Sequence, residues 1–144
     1  MSLRWTCLEK TSLGINLSGA DLSKANLSEA KLSAAILKGT DLKEAILRKS
    51  ILRAADLTGT DLSGADLSEV DFTGADLTDT KLHGASLSRA NLSAVGSFKR
   101  VDLSAANLSG ANLRGLDLKT ANLSGTNLSG ANLDEASFTE TNMG

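Results

Sequence analysis

Large apolar side chains return every fifth residue along nearly the whole chain. Leucine stands at Leu17, Leu22, Leu27 and Leu32 and continues in steps of five to Leu92, with Phe72 replacing it once. The rhythm resumes one residue late at Phe98 and runs through Leu103 and Leu133 to Phe138 and Met143. A period of five is neither the 3.6 of a helix nor the 2 of a strand. It marks an internal repeat, and a repeat sets the architecture before any local propensity is considered.

The positions around each central residue are nearly as regular. Two residues before it stands a small residue, mostly Ala (Ala20, Ala25, Ala55, Ala121) or Thr (Thr40, Thr60, Thr126). Asp or Asn most often precedes the centre, and Ser, Thr, Lys or Arg most often follows it. The fifth position is often Gly, as at Gly19, Gly39, Gly59, Gly64, Gly110 and Gly125. Centre and small residue are two apart, so they point inward together from a short extended segment while the other positions face water. Each pentad must then turn a corner, and Gly, Asn, Asp and Ser are turn residues. Four such sides closing a square give a coil of roughly 20 residues, with coils stacked about 4.8 Å apart by main-chain hydrogen bonds.

Charges test this count without reference to the leucines. Glu29, Lys49, Glu69 and Arg89 alternate in sign at steps of 20, as do Lys24 and Glu44. Asp79 and Arg100 are 21 apart, as the late restart before Phe98 requires, and Lys81 falls between Asp61 and Asp102. Opposite charges on adjacent rungs attract. The one-residue slip lies within Ala94-Val95-Gly96-Ser97, and the extra residue is expected to bulge outward near Gly96, beside Lys99 and Arg100.

Tandem Ala-Asp/Asn-Leu-Ser-Gly, clean in Ala65-Asp66-Leu67-Ser68 and Ala106-Asn107-Leu108-Ser109-Gly110, resembles the pentapeptide-repeat family. The resemblance covers Ile15 to Gly144 and is nearest to the Leu-centred members abundant in cyanobacteria. It implies an all-β fold, a right-handed quadrilateral parallel β-helix of about six to seven coils. Residues 15–144 form that solenoid with its slip near 94–97. Residues 1–14 are expected to be an N-terminal cap or an irregular first coil, with Trp5 or Leu8 over the open end. The C-terminus runs into Met143-Gly144 with no capping sequence, so end-to-end homodimerisation through the last coil, or a truncated chain, is expected.

Composition narrows the function classes. The chain has 144 residues, one domain by length, with 3% aromatics and no proline, so its core must be Leu and Ala. A net charge of −2 argues against direct nucleic-acid binding. Cys7 is the lone cysteine, so no internal disulfide or cysteine zinc cluster is available. No apolar run approaches the roughly 18 residues of a membrane span, and the N-terminus lacks the apolar stretch of a signal peptide. A cytoplasmic protein is expected, a removed targeting segment excepted.

Chemistry is sparse. His83, the only histidine, follows Leu82 and is expected to face water. Asp pairs such as Asp61 and Asp66 lie on different flat faces and do not converge as an acid–base pair or a metal cage. No enzyme, cofactor or metal is expected. Two surface features remain. Ile36, Ile46 and Ile51 stand where Asp or Asn is usual, within one coil, beside Lys38, Lys43, Arg48, Lys49 and Arg53. This apolar–basic belt is the first candidate contact with a protein partner, its core being Ile36, Ile46, Ile51, Arg48 and Arg53. The next coil carries Asp56, Asp61, Asp66, Glu69, Asp71, Asp76 and Asp79 without a base, and Asp21, Asp41 and Asp61 form an axial acidic column.

The expected function is a noncatalytic scaffold for protein–protein interaction. The alternative is a DNA mimic of the quinolone-resistance type directed at DNA gyrase, as the family resemblance and the Asp21, Asp41, Asp61 column suggest. Lys81 interrupts that column, and the centres are Leu where the quinolone-resistance group uses more Phe.

Overall fold

The computed structural model describes residues 14–139 and 141–144. The segment expected to be a cap or irregular first coil lies almost wholly outside the described residues. Parallel bridges join Asn16 to Ile36, Asp21 to Asp41, Asn26 to Ile46 and Lys31 to Ile51, each 20 residues apart, and continue down four faces. The pairing lengthens to 21 residues from Asp76–Ser97 to Asn91–Asn112, then returns to 20 at Asp102–Asn122. The chain therefore winds as a right-handed quadrilateral β-helix, one pentad per side.

The corner decides the path. In each regular pentad the small residue of the next side donates its N–H to the central carbonyl, as Ala25 does to Leu22 at 3.1 Å. The fifth-position residue between them has positive φ, for example 59° at Lys24 and 67° at Gly19. One positive φ at the third residue of a hydrogen-bonded four-residue turn is the type II arrangement, which explains the recurrent glycine. Thr120 is the one fifth-position residue among those described whose φ is not positive.

Vertical bonds hold the coils together. Leu42 N–H donates to Asp61 C=O at 2.7 Å, Asp41 N–H to Ala20 C=O at 2.9 Å, and Glu44 N–H to Ser63 C=O at 2.9 Å. Inside, the central leucines from Leu32 to Leu118 and Phe72 are buried, with Ala35, Ala55, Ala75 and Ala111 between them. Burial loosens towards the C-terminal coil, where Leu128, Leu133 and Phe138 are only partly covered and Met143 is exposed. Threonines at small positions satisfy their hydroxyls on a central carbonyl: Thr40 on Leu17 (2.9 Å), Thr60 on Leu37 (2.7 Å) and Thr80 on Leu57 (3.0 Å). Ser50 occupies the same kind of site, yet its buried Oγ has no partner.

At the slip, Gly96 N–H (2.9 Å) and Ser97 N–H (3.3 Å) both donate to Ala75 C=O, so two residues oppose one. That count is a β-bulge. Val95 packs against the core and Gly96 is exposed. A Cβ on Gly96 would lie 2.8 Å from the Gly74 carbonyl oxygen, so glycine is required here by close approach.

Where it is Asp or Asn, the residue before a centre does more than face water. Its Oδ1 accepts the backbone N–H two residues on, as Asp21 does from Ser23 (3.0 Å), Asp71 from Thr73 (3.0 Å) and Asn122 from Ser124 (3.2 Å). These are Asx turns, available equally to Asp and Asn. The bonds favour the ionised carboxylate. Partial burial pushes Asp61, Asp71 and Asp102 up, but hydroxyl and amide donors from Ser63, Thr73 and Ser104, with nearby cations, leave each below its ordinary value. Asp56 is likewise held low, first by the Thr58 hydroxyl and amide.

Three outcomes follow from this packing. Ser50→Thr should place a hydroxyl on the Leu27 carbonyl, as Thr40 does on Leu17, and stabilise the fold by about 1 kcal/mol in thermal or chemical denaturation. Gly96→Ala should destabilise it by about 1–3 kcal/mol, because the clash is with backbone. Because the folded carboxyls of Asp56, Asp61, Asp71 and Asp102 are depressed, their stabilisation is present above the unfolded carboxylate value of about 4 and is lost as pH falls below it. Melting temperature should therefore be nearly flat from pH 7 to about 5 and fall below about 4. The Asp56→Asn, Asp61→Asn, Asp71→Asn, Asp102→Asn variant keeps the acceptors and should lose much of that fall. An unchanged acid profile in this variant would contradict the assignment.

Candidate interaction surfaces

The belt residues lie on three different faces of one coil. Ile36 sits between Asn16 and Asp56, Ile46 between Asn26 and Asp66, and Ile51 between Lys31 and Asp71. Ile36 and Ile46 are each 38% exposed, while Ile51 is half-buried. With Met143 they are the exposed large apolar residues among those described. No isoleucine can accept the Asx bond, so this coil forgoes that bond at three of its corners. The fold gives no reason for the exchange at Ile36 and Ile46, because Asp or Asn serves the same position on the coils above and below; Ile51 has Lys31 on one side and Asp71 on the other.

The belt cations lean towards the acidic coil. Arg48 lies 3.7 Å from Asp66 and Arg53 3.9 Å from Asp71, each an exposed guanidinium on a half-buried carboxylate. Such pairs contribute only about 0–1 kcal/mol. Lys38 and Lys49 have no ion-pair partner within 4 Å among the described residues, so the belt keeps free positive charge beside its isoleucines.

The acidic column is contiguous and partly neutralised. Bridges stack Asp21 on Asp41 and Asp41 on Asp61, and Lys81 follows. Lys43 reaches both Asp41 (3.4 Å) and Asp61 (3.5 Å), and Lys81 reaches Asp61 at 3.9 Å. Asp41 and Asp61 raise the Lys43 ammonium above its usual value. The Ser23 hydroxyl and amide hold Asp21 below the usual carboxylate range, helped by Lys43. The stack thus presents mixed rather than uniformly negative charge below Asp21.

Other predicted charge neighbours divide. Lys24 and Glu44 meet at 3.7 Å, and Arg100 grips Asp79 through two bonds of 2.6 and 2.8 Å. That bidentate contact holds the Asp79 carboxyl low and raises the guanidinium. The column Glu29, Lys49, Glu69, Arg89 is in register but forms no ion pair within 4 Å among the described residues. Corner position alone does not decide this, since Lys24–Glu44 and Asp79–Arg100 also join corner residues, whereas Arg48 and Arg53 reach diagonally to the next coil. Sequence reasoning also missed Arg114–Glu135 at 2.9 Å, which the 21-residue offset from fourth to fifth position allows.

His83 Nδ1 lies 2.9 Å from Ser104 Oγ, which donates to Asp102 Oδ1 at 2.7 Å. The hydroxyl proton therefore points to the carboxylate, and the imidazole donates to the serine. A nucleophilic triad needs the reverse order, with histidine between the acid and the serine. Among the described residues no three His, Cys, Asp or Glu side chains converge as a metal-binding set, and no helix is long and apolar enough to cross a membrane.

A second surface escaped the sequence reading: a cleft between Ala94–Arg100 and Gly115–Thr120. Two signals were available. Leu116 is the one leucine at a small position, and Thr120 is a β-branched residue at a position that takes positive φ elsewhere.

Comparison with known proteins agrees with this geometry. A sequence model of pentapeptide repeats matches residues 14–48, 55–93, 97–134 and 117–144 in eight copies. Among solved structures, a pentapeptide repeat protein from the Arabidopsis thaliana thylakoid lumen is 34% identical over 70% of this chain, with a TM-score of 0.54. The match spans 66% of that protein's own length. HetL of the cyanobacterium Nostoc, involved in heterocyst differentiation regulation, is 31% identical over 84% of this chain and 73% of its own, with a TM-score of 0.46. A trypsin-treated form of QnrB1, a plasmid-mediated fluoroquinolone resistance protein, covers 90% of this chain and 72% of its own at 18% identity and a TM-score of 0.54, a likeness of fold alone. A search of curated protein sequences gave no match. With its register, its four faces and its Leu-Ala core, the chain belongs to the pentapeptide repeat family.

Proposed function

We propose that this protein is a noncatalytic rod that binds a protein partner through its flat faces, with Ile36, Ile46, Ile51, Arg48 and Arg53 as the first contact. The observation that carries this reading is the exposure of Ile36 and Ile46 at positions where Asp or Asn would also secure the turn. An apolar centre flanked by arginine suits a protein interface, whose buried core is more apolar than its rim and where arginine is enriched. The polar order of the His83–Ser104–Asp102 chain supports the noncatalytic part of the proposal.

The second reading, a DNA mimic acting on gyrase through Asp21, Asp41 and Asp61, draws on the stacking of those three residues. Lys43 and Lys81 count against it, because a mimic of the phosphate backbone needs sustained negative charge.

Ile46→Asp with Ile51→Asp should abolish capture of the native partner while circular dichroism and melting remain near those of the parent protein. Retained capture by the folded variant would end the belt assignment. In a supercoiling assay, micromolar protein should leave DNA gyrase unaffected. Inhibition or protection that is lost on Asp41→Lys would favour the mimic instead.

A further inference from the structure

The wall of the solenoid is open at one place. Every successive pair of pre-centre residues down the four faces is bridged among the described residues except Ser97 and Asp117. Leu92 N–H reaches Asn112 C=O and Leu103 N–H reaches Asn122 C=O, each at 2.8 Å, but Phe98 N–H does not reach Asp117 C=O. Asp117 N–H also lacks the acceptor that Asn112 finds on Ala90 and Asn122 on Val101. Arg100 N–H turns to the Thr120 hydroxyl at 2.9 Å. The bulged Gly96 and the oversized Leu116 line opposite sides of this gap, a cleft of about 440 Å³, within the ~300–1,000 Å³ of small-ligand pockets.

We propose that the cleft binds a short, extended, acidic peptide segment, which pairs with the freed backbone groups of Phe98 and Asp117. The gap offers both N–H donors and a C=O acceptor, the set that an extended strand complements. A free anion would satisfy the donors alone and would face the Asp117 carbonyl. The rim fixes the charge. Lys99 and Lys119 have no ion-pair partner within 4 Å among the described residues, and Arg100 is held by Asp79. Against them the cleft carries only Asp117. Two or three extended residues span about 7–10 Å, and acidic side chains beside the paired segment would face the lysines of the rim. The cleft is separate from the isoleucine belt, and Ile46→Asp with Ile51→Asp should leave its occupancy unchanged.

The test is amide NMR titration of the full chain with three probes: acetyl-Asp-Val-Glu-Val-Asp-amide, acetyl-Lys-Val-Lys-Val-Lys-amide and inorganic phosphate. The acidic peptide should shift the Phe98 and Asp117 amides saturably and slow their hydrogen exchange. Lys99→Glu with Lys119→Glu, a surface change, should weaken its binding at least tenfold with the spectrum otherwise intact. Equal shifts from phosphate would make this an anion site and overturn the proposal. Equal binding of the basic peptide, or no shift with any probe, would overturn it as well.

Discussion

Everything in this fold depends on the right-angle corner that ends each pentad. The corner takes positive φ at every described fifth position but Thr120, and 13 of those are non-glycine side chains, from Ala94 and Arg100 at 53° to Glu135 at 61°. Such conformations cost energy and persist only where the surroundings over-determine them. Here the surroundings are the turn bond beneath, the vertical bond from the fifth-position N–H, and the Asx bond before the centre. Once the corner is held, the central residue can only point inward, and its amide can only meet the coil below. The core and the ladder are consequences of the turn as much as causes of it.

That dependence explains what was legible in the sequence. The leucine spacing gives side length and inward face, because both follow from one local geometry repeated, and the charge offsets of 20 and 21 residues give the number of sides. The offset between Leu92 and Phe98 places the extra residue, and the close approach to Gly74 explains why Gly96 carries it. The Asp and Asn before each centre were less transparent. Their abundance reads as a solvated surface, although an acceptor two residues before an amide is a known turn device. Ion pairs were legible only where partners share a column and can reach. Arg48 and Arg53 chose diagonal neighbours because long side chains sample more than the residue directly beneath.

The candidate surfaces differ in the same way. The isoleucine belt announces itself because it breaks the residue rule at three corners of one coil. The cleft does not, since it arises from coincidence across a stack: a bulge on one coil, a leucine at a small position on the next, and a threonine at the following corner. No single pentad is anomalous enough to predict it. The acidic column lies between these cases. Its stacking is visible in the spacing of Asp21, Asp41 and Asp61, but its neutralisation depends on Lys43 lying against two carboxylates at once.

The missing Ser97–Asp117 bridge also bears on how the rod comes apart. A solenoid is stabilised by nearest-neighbour contacts, so its cooperativity is only as strong as the weakest junction between coils. With one face of four unzipped there, thermal opening has a natural boundary, and the coils before and after it can melt as separate blocks. Pulled from its ends, the rod would first part at that junction, a mechanical fuse set by one inserted glycine and one oversized leucine.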